Sequence, residues 1–146
     1  MKKLVFILMG LSVLSCRDIE NCDTDDNLDF MIVRFYDIES GSSKKIGFEI
    51  TAEDSPYTFT PFEDSTGVGL PLNPEDQTTT FFFDSDTSSF ELEMSYEEVE
   101  VTIFDPKCDP SLTFLGLDTV RQTFDSTVVV GNVTNRQIST NVEIYF

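Results

Sequence analysis

The side chains of this 146-residue chain that could do chemistry are 27 carboxylates and three thiols. Histidine is absent, which removes imidazole triads and the commonest transition-metal ligand together. There is no G-x-S-x-G, no P-loop and no dinucleotide fingerprint. No catalytic residue, cofactor or metal ligand is therefore expected, and the chain reads as a non-enzyme. Two carboxylates could form the acid and base pair of glycoside hydrolysis. With so many acids, however, some pair always lies close in space, and proximity alone is a weak argument. Tryptophan, the usual sugar platform, is missing, although Tyr and Phe can stand in for it. Asp23-Thr24-Asp25-Asp26-Asn27-Leu28-Asp29 spaces oxygen ligands as a calcium loop would. An EF-hand begun at Asp23 would need Gly at Leu28 and an acid at Arg34, so a solvated tether is the better reading. Asp84-Ser85-Asp86 is a second acidic candidate for weak calcium binding.

The charge balance limits partners. Discounting Lys2 and Lys3 leaves 7 basic against 27 acidic residues, a net charge of about −20. Such a surface repels phosphate backbones and anionic headgroups, so nucleic acid is excluded as a partner and membrane contact needs a covalent anchor. Lys2 and Lys3, the apolar run from Leu4 to Leu14 and the small Ser15 before Cys16 have the form of a signal peptide, with an apolar run too short to span a bilayer. Val13-Leu14-Ser15-Cys16 resembles the lipobox of bacterial lipoproteins, which implies cleavage before Cys16 and acylation of that cysteine. Several acyl chains on one residue suffice for stable anchoring. Cys22 and Cys108 then remain in an oxidising compartment, where a disulfide is the default and two free buried thiols the alternative. Closing so long a loop is worth about 4–5 kcal/mol in the chain-entropy model.

These features divide the chain into a signal peptide over 1–15, an acidic tether over 16–27 and one domain over 28–146. The domain alternates short Phe, Val, Ile, Thr and Tyr runs with Ser, Gly, Asn, Asp and Pro, and the whole chain holds one alanine, Ala52. This composition starves helices and feeds strands. Strands are expected at Leu28 to Asp37, Lys44 to Thr51, Tyr57 to Phe62, Gly67 to Leu72, Thr78 to Phe83, Phe90 to Tyr96, Val99 to Phe104, Leu112 to Leu117, Thr127 to Val130 and Ile138 to Phe146. Their spacing predicts an all-β fold, an antiparallel sandwich of immunoglobulin-like or related type, with little or no helix outside the signal peptide. Phe90, Leu92, Met94 and Tyr96 alternate with polar residues, after which the apolar set moves to Val99, Val101 and Ile103. This change of parity requires a turn or a bulge, and a tight hairpin at Glu97-Glu98 is preferred. Pro106 and Pro110 flank Cys108 and imply a rigid loop. Gly131-Asn132 signals a turn after the penultimate strand. Phe81-Phe82-Phe83 reads as a buried strand between two layers, with an exposed docking patch as the sharper alternative.

Asp64-Ser65-Thr66, Asp118-Thr119-Val120 and Asp125-Ser126-Thr127 resemble the O-glycosylation sites of Bacteroidota exported proteins, which implies exposed turns there. The lipobox at Cys16, the second cysteine at Cys22, Val68-Gly69-Leu70-Pro71-Leu72-Asn73, Cys108 after a long hairpin and the closing Asn141-Val142-Glu143-Ile144-Tyr145-Phe146 together resemble a group of short Bacteroidota lipoproteins that form a domain of unknown function. Asp109 stands where Gly often follows the third cysteine of that group. The resemblance brings no activity. The leading reading is an outer-membrane lipoprotein, on the cell surface or the periplasmic face, whose non-enzymatic sandwich presents a binding or scaffolding surface to another envelope protein. Asp18 and Glu20 behind Cys16 resemble a surface-export signal, interrupted by Arg17 and Ile19. A glycan-binding or glycan-processing module and a small outer-membrane β-barrel are the alternatives, the latter because a terminal strand ending in Phe146 resembles the barrel-assembly signal.

Overall fold

Period-two alternation decides which side of each strand meets the core, and most of the expected strands form. The computed structural model describes residues 30–53, 62–103, 110–133 and 139–146. Among them are eleven strands and no helix. They are β1 (Phe30–Tyr36), β2 (Ile46–Ala52), β3 (Phe62–Ser65), β4 (Gly67–Pro71), β5 (Thr78–Asp84), β6 (Ser89–Ser95), β7 (Glu98–Thr102), β8 (Ser111–Leu115), β9 (Asp118–Gln122), β10 (Ser126–Val129) and β11 (Val142–Tyr145). One sheet has the order β10-β11-β1-β4 and the other β3-β2-β5-β6-β9, with β7 and β8 paired beyond them. Neither sheet closes on itself, so the architecture is a sandwich and the barrel alternative has no footing in the fold. The expected signal peptide and tether and the cysteines Cys16, Cys22 and Cys108 lie outside the described residues.

The core lies between the two sheets. Met31, Val33 and Phe35 of β1 with Val142 and Ile144 of β11 meet Phe48 and Ile50 of β2, Phe81 and Phe83 of β5, and Leu92 and Met94 of β6. At one end the rings cluster. Phe146 stacks on Phe48 with centroids 5.9 Å apart and meets Phe35, Phe90 and Phe124 edge-on. The C-terminus is pinned as expected, because Phe146 N–H donates to the Tyr36 carbonyl and the Phe146 carbonyl accepts from Ile38 N–H. The terminal Phe146 thus belongs to the sandwich core. Of the Phe81-Phe82-Phe83 run, the outer two are fully buried, while Phe82 is half-buried on the opposite face of β5.

Four differences from the sequence-based expectation have physical causes. First, β11 joins β1 in parallel, Val33 opposite Val142 and Tyr36 opposite Tyr145, so the sandwich is not wholly antiparallel. Alternation fixes the face a strand presents and carries no information on direction. Second, β9 was not expected, because Asp118-Thr119-Val120-Arg121-Gln122 has no apolar alternation; it pairs with β6 alone and is an edge strand. Third, β3 runs on through Glu63-Asp64-Ser65, which has no apolar alternation and was not expected as strand, and pairs with β2 alone at the sheet edge; apart from Phe62, the expected strand Tyr57 to Phe62 lies outside the described residues.

The fourth difference concerns the parity switch. There is no tight hairpin at Glu97-Glu98, and β6 does not pair with β7. Instead β6 and β7 form one side, and β8 and β9 the other side, of a single long ribbon. Met94↔Thr119, Ser95↔Asp118, Glu98↔Leu115 and Thr102↔Ser111 lie on one unbroken register. The ribbon bends where Glu97 faces Gly116, and both are bend residues. Glu97 N–H still donates to the Leu115 carbonyl across the bend. Gly116 has φ +65, and a Cβ on it would lie 2.6 Å from Glu97 Cγ. Only glycine meets both constraints cheaply. Beyond the bend the ribbon presents its other face to the core, and this is why the apolar set moves from even to odd positions. Phe114, opposite Val99, is fully buried and meets Tyr96 edge-on with centroids 4.9 Å apart.

Gly116→Ala is expected to destabilise the protein by about 1–3 kcal/mol, the range for a strained left-handed residue. Gly131→Ala, where a Cβ meets nothing within 4 Å, should change stability by less than about 0.5 kcal/mol. Urea unfolding of the two variants beside the parent checks the contrast.

Candidate functional site

The described surface offers one groove, one charged sheet face and one projecting arm as candidate sites. The groove opens where β2, β3 and the turn after β5 meet, with a volume of about 610 Å³. Phe48 forms its floor, and Glu49, Glu63, Asp84 and Asp86 surround it. Glu49 and Asp84 are directly opposed across the β2–β5 ladder, a like-charge pair that weakens the sheet locally. Ser85 is the hydroxyl closest to nucleophile chemistry, yet it is spent on the turn. Its Oγ donates to the Ser88 carbonyl at 3.1 Å and accepts from Ser88 N–H at 3.2 Å. Its proton and a lone pair are thus both engaged with the backbone of the turn, which is not the arrangement of an activated nucleophile. The groove offers acceptors and negative charge, and its one lining aromatic is buried. Carboxylates gather here as a glycan cleft would need, but among the described lining residues no exposed ring stands beside them to stack a sugar. Among the described residues no group of three His, Cys, Asp or Glu side chains is arranged to hold a metal ion. The calcium candidate Asp84-Ser85-Asp86 is placed in this groove, and Asp23 to Asp29 lies outside the described residues.

On the outer face of the five-stranded sheet, Arg121 of β9 spans two carboxylates of β6. It contacts Glu91 and lies 3.4 Å from Glu93. Exposed pairs of this type are worth about 0.2–1 kcal/mol each. The cluster neutralises a stretch of sheet beside Phe82 and offers no reactive group. The three resembled glycosylation sites fall at strands. Ser65 and Thr119 are only partly exposed, and their hydroxyls are occupied, Ser65 with the Gly67 carbonyl at 2.7 Å and Thr119 with Met94 Sδ at 3.8 Å. Ser126 begins β10 opposite Tyr145.

The arm is the β7–β8 end of the bent ribbon. Its apolar face starts inside the core at Phe114 and Val99 and continues outward through Leu112 and Val101 to Ile103. Val101 is 60% and Ile103 65% exposed, so the apolar face outruns the core that covers its base. Cys108 belongs to the segment joining β7 to β8 and lies outside the described residues. Two hydrogen-bond routes tie the base of the arm to the start of β1. Phe30 is opposite Pro71, and two residues on, the Asn73 carbonyl accepts from the Tyr96 hydroxyl at the bend. Separately, the buried Asn141 side chain accepts from Ile32 N–H at 2.7 Å and donates to the Asn132 carbonyl at 2.5 Å, while Asn132 Oδ1 accepts from Leu117 N–H at 3.3 Å. The arm therefore projects from the end of the sandwich at which β1 begins. The alternation Val99, Val101, Ile103 signalled an apolar face in the sequence; nothing local signalled that the core would stop short of it.

A scan of family models, a search of curated proteins and a search of solved structures find no match to this chain.

Burial pushes the Tyr96 phenol above its ordinary value of 10.0, opposed by a hydrogen bond with Thr79 and reinforced by the Asp76 carboxylate. The folded state thus favours the neutral phenol. Its contribution to stability is present below the unfolded value and is lost as pH rises through the folded one. As pH rises through the ordinary value of 10.0 and beyond it, the parent should lose stability more steeply than Tyr96→Phe. Urea midpoints against pH test this, and parallel curves would show that Tyr96 is not the group responsible.

Proposed function

We propose that this chain is an outer-membrane lipoprotein, anchored through acylated Cys16, whose sandwich is a non-enzymatic binding or scaffolding module for another envelope protein. The observation that carries the reading is the run from Lys2 to Cys16: positive n-region, short apolar stretch, Ser15 and then cysteine. The resemblance to short Bacteroidota lipoproteins supports the same address, on the surface or the periplasmic face. The non-enzymatic part is supported by the lack of histidine and by the engagement of Ser85 in its turn. A binding role is supported by aliphatic side chains left uncovered on adjoining edge strands, Val120 on β9 with Val128 on β10 and Val130 beyond it.

In this reading Cys22 is joined to Cys108. Thirteen residues lie between Cys16 and Phe30, a leash of at most about 50 Å. The end of the sandwich where β1 begins, and from which the arm projects, is therefore the end that faces the bilayer.

Fractionation and mass spectrometry test the anchor. The parent should sediment with membranes and yield an N-terminal peptide beginning at acylated Cys16, while Cys16→Ser should lose the modification and leave the membrane. An unmodified N-terminal peptide on a soluble parent protein would overturn the reading.

A further inference from the structure

We infer that the free edge of β10 is a strand-addition site, where Thr127 and Val129 bind the backbone of an extended segment of a partner protein that carries aliphatic side chains at alternate positions and basic residues at its ends. The inference rests on the binding role of the proposed function and deepens it, because it names the surface and the chemistry of what binds there.

Backbone direction is the first argument. Val130 N–H donates to the Asn141 carbonyl at 2.8 Å, and Val129↔Val142, Val128↔Glu143 and Thr127↔Ile144 continue that ladder without a shift. Bonded and non-bonded pairs alternate along an antiparallel ladder. Val128 therefore spends its N–H and C=O on Glu143. Thr127 and Val129 turn theirs to the outer side of β10, where no described strand lies. Their two N–H and two C=O groups form the pattern with which an added strand pairs.

The other outer edges of the two sheets are β4, β3 and β9, and each is blunted. β3 carries Glu63 and Asp64, the latter at φ 55, and its register against β2 shifts. β9 carries exposed Asp118 and Arg121 beside a register shift against β6. β4 holds Gly67 and Gly69 and ends on Pro71. Charges, bulges, glycine and proline are the devices that keep an edge strand from pairing. β10 has none of them. Ser126-Thr127-Val128-Val129, with Val130 after it, contains no charge, proline or glycine, and Val128 and Val130, two residues apart on one face, are exposed.

Charge then chooses the occupant. Asp125 is exposed just before β10, Glu143 stands opposite Val128, and Asp118 opens the adjoining β9. Basic residues at the ends of an incoming strand complement these carboxylates, while its alternate aliphatic side chains cover Val128 and Val130. A second copy of the chain would instead bring a further net charge of −18 against them.

The test is amide exchange, followed by NMR, in the full lipidated chain in detergent, with the peptide Lys-Val-Thr-Val-Thr-Val-Lys as probe. In the protein alone the Thr127 and Val129 amides should exchange fast and the Val128 and Val130 amides slowly. The peptide should bind saturably and slow exchange at Thr127 and Val129 by about tenfold or more. The same peptide with every backbone nitrogen methylated keeps its side chains, loses its donors and should not bind. Thr127→Pro removes an outward N–H and leaves the ladder to β11 intact; it should weaken peptide binding about tenfold or more. Val128→Lys, at an exposed position, should do the same by charging the edge and guards against a folding effect of the proline. No saturable binding, protection confined to other strands, or equal binding of the methylated peptide overturns the inference and leaves the lipoprotein reading standing. Slow exchange at Thr127 and Val129 in the protein alone, with the sedimentation mass of two copies, gives the edge to a second copy and overturns it as well. The reading beneath it fails separately, on an unmodified N-terminal peptide in the fractionation experiment.

Discussion

A bend in one β-ribbon, Glu97 facing Gly116, is the constraint on which the Phe30 end of the sandwich depends. Hydrogen-bond register runs through it unbroken, from Met94↔Thr119 to Thr102↔Ser111. The only way to keep that register and still bury apolar side chains beyond it is to turn the ribbon over, because an unbent ribbon would present Val99 and Phe114 to solvent. Gly116 makes the turn at positive φ against the Glu97 side chain. Tyr96 then stands where the two parts of the ribbon meet, with its ring on Phe114 and its hydroxyl on Asn73.

The two ends of the sandwich are built differently. The end at Tyr36 is closed by rings: Phe35, Phe48, Phe83, Phe90, Phe124 and Phe146 pack edge to face and in stacks around the last residue of the chain. The loop that follows β1 there is held by Asp37, whose carboxylate accepts from Ser40 N–H at 2.9 Å and Ser40 Oγ at 2.8 Å. Chiefly through the bond from Ser40 N–H, these contacts hold its carboxyl below the usual value. The end at Phe30 is instead closed by polar ties through Asn73, Asn132 and Asn141, and it leaves an apolar arm overhanging. A buried Asn that satisfies Ile32 N–H and the Asn132 carbonyl at once is costly to remove, since each partner would be left without a bond. The polar ties and the arm thus share one end of the sandwich, and the rings fill the other.

Much of this was legible in the residues. Phe90, Leu92, Met94 and Tyr96 announced β6 because one face of a half-buried strand alternates cleanly, and Ile144 and Phe146 announced a pinned C-terminus for the same reason. β9 was not legible, since an edge strand can be built from Asp118, Thr119, Arg121 and Gln122 when a single neighbour supplies its ladder. The parallel pairing of β1 with β11 left no local trace, because side-chain alternation is blind to strand direction. At the parity switch the residues correctly demanded a break. A turn and a bend look alike until the partner strand is known, and that partner, β8, lies some fifteen residues further along the chain. As for the site, the thiols and the lack of histidine were plain in the residues. The uncovered Val101 and Ile103 depended on where the core ends, which only the packing reveals.

The claim that joins fold to anchor is that the arm end faces the membrane. Quenching by spin-labelled lipids in vesicles bearing the full lipidated protein measures it, with a fluorescent amino acid placed at exposed Glu100 on the arm or at exposed Glu39 in the loop after β1. The account predicts strong quenching at position 100 and little at position 39; equal quenching at both, or stronger quenching at 39, would contradict it.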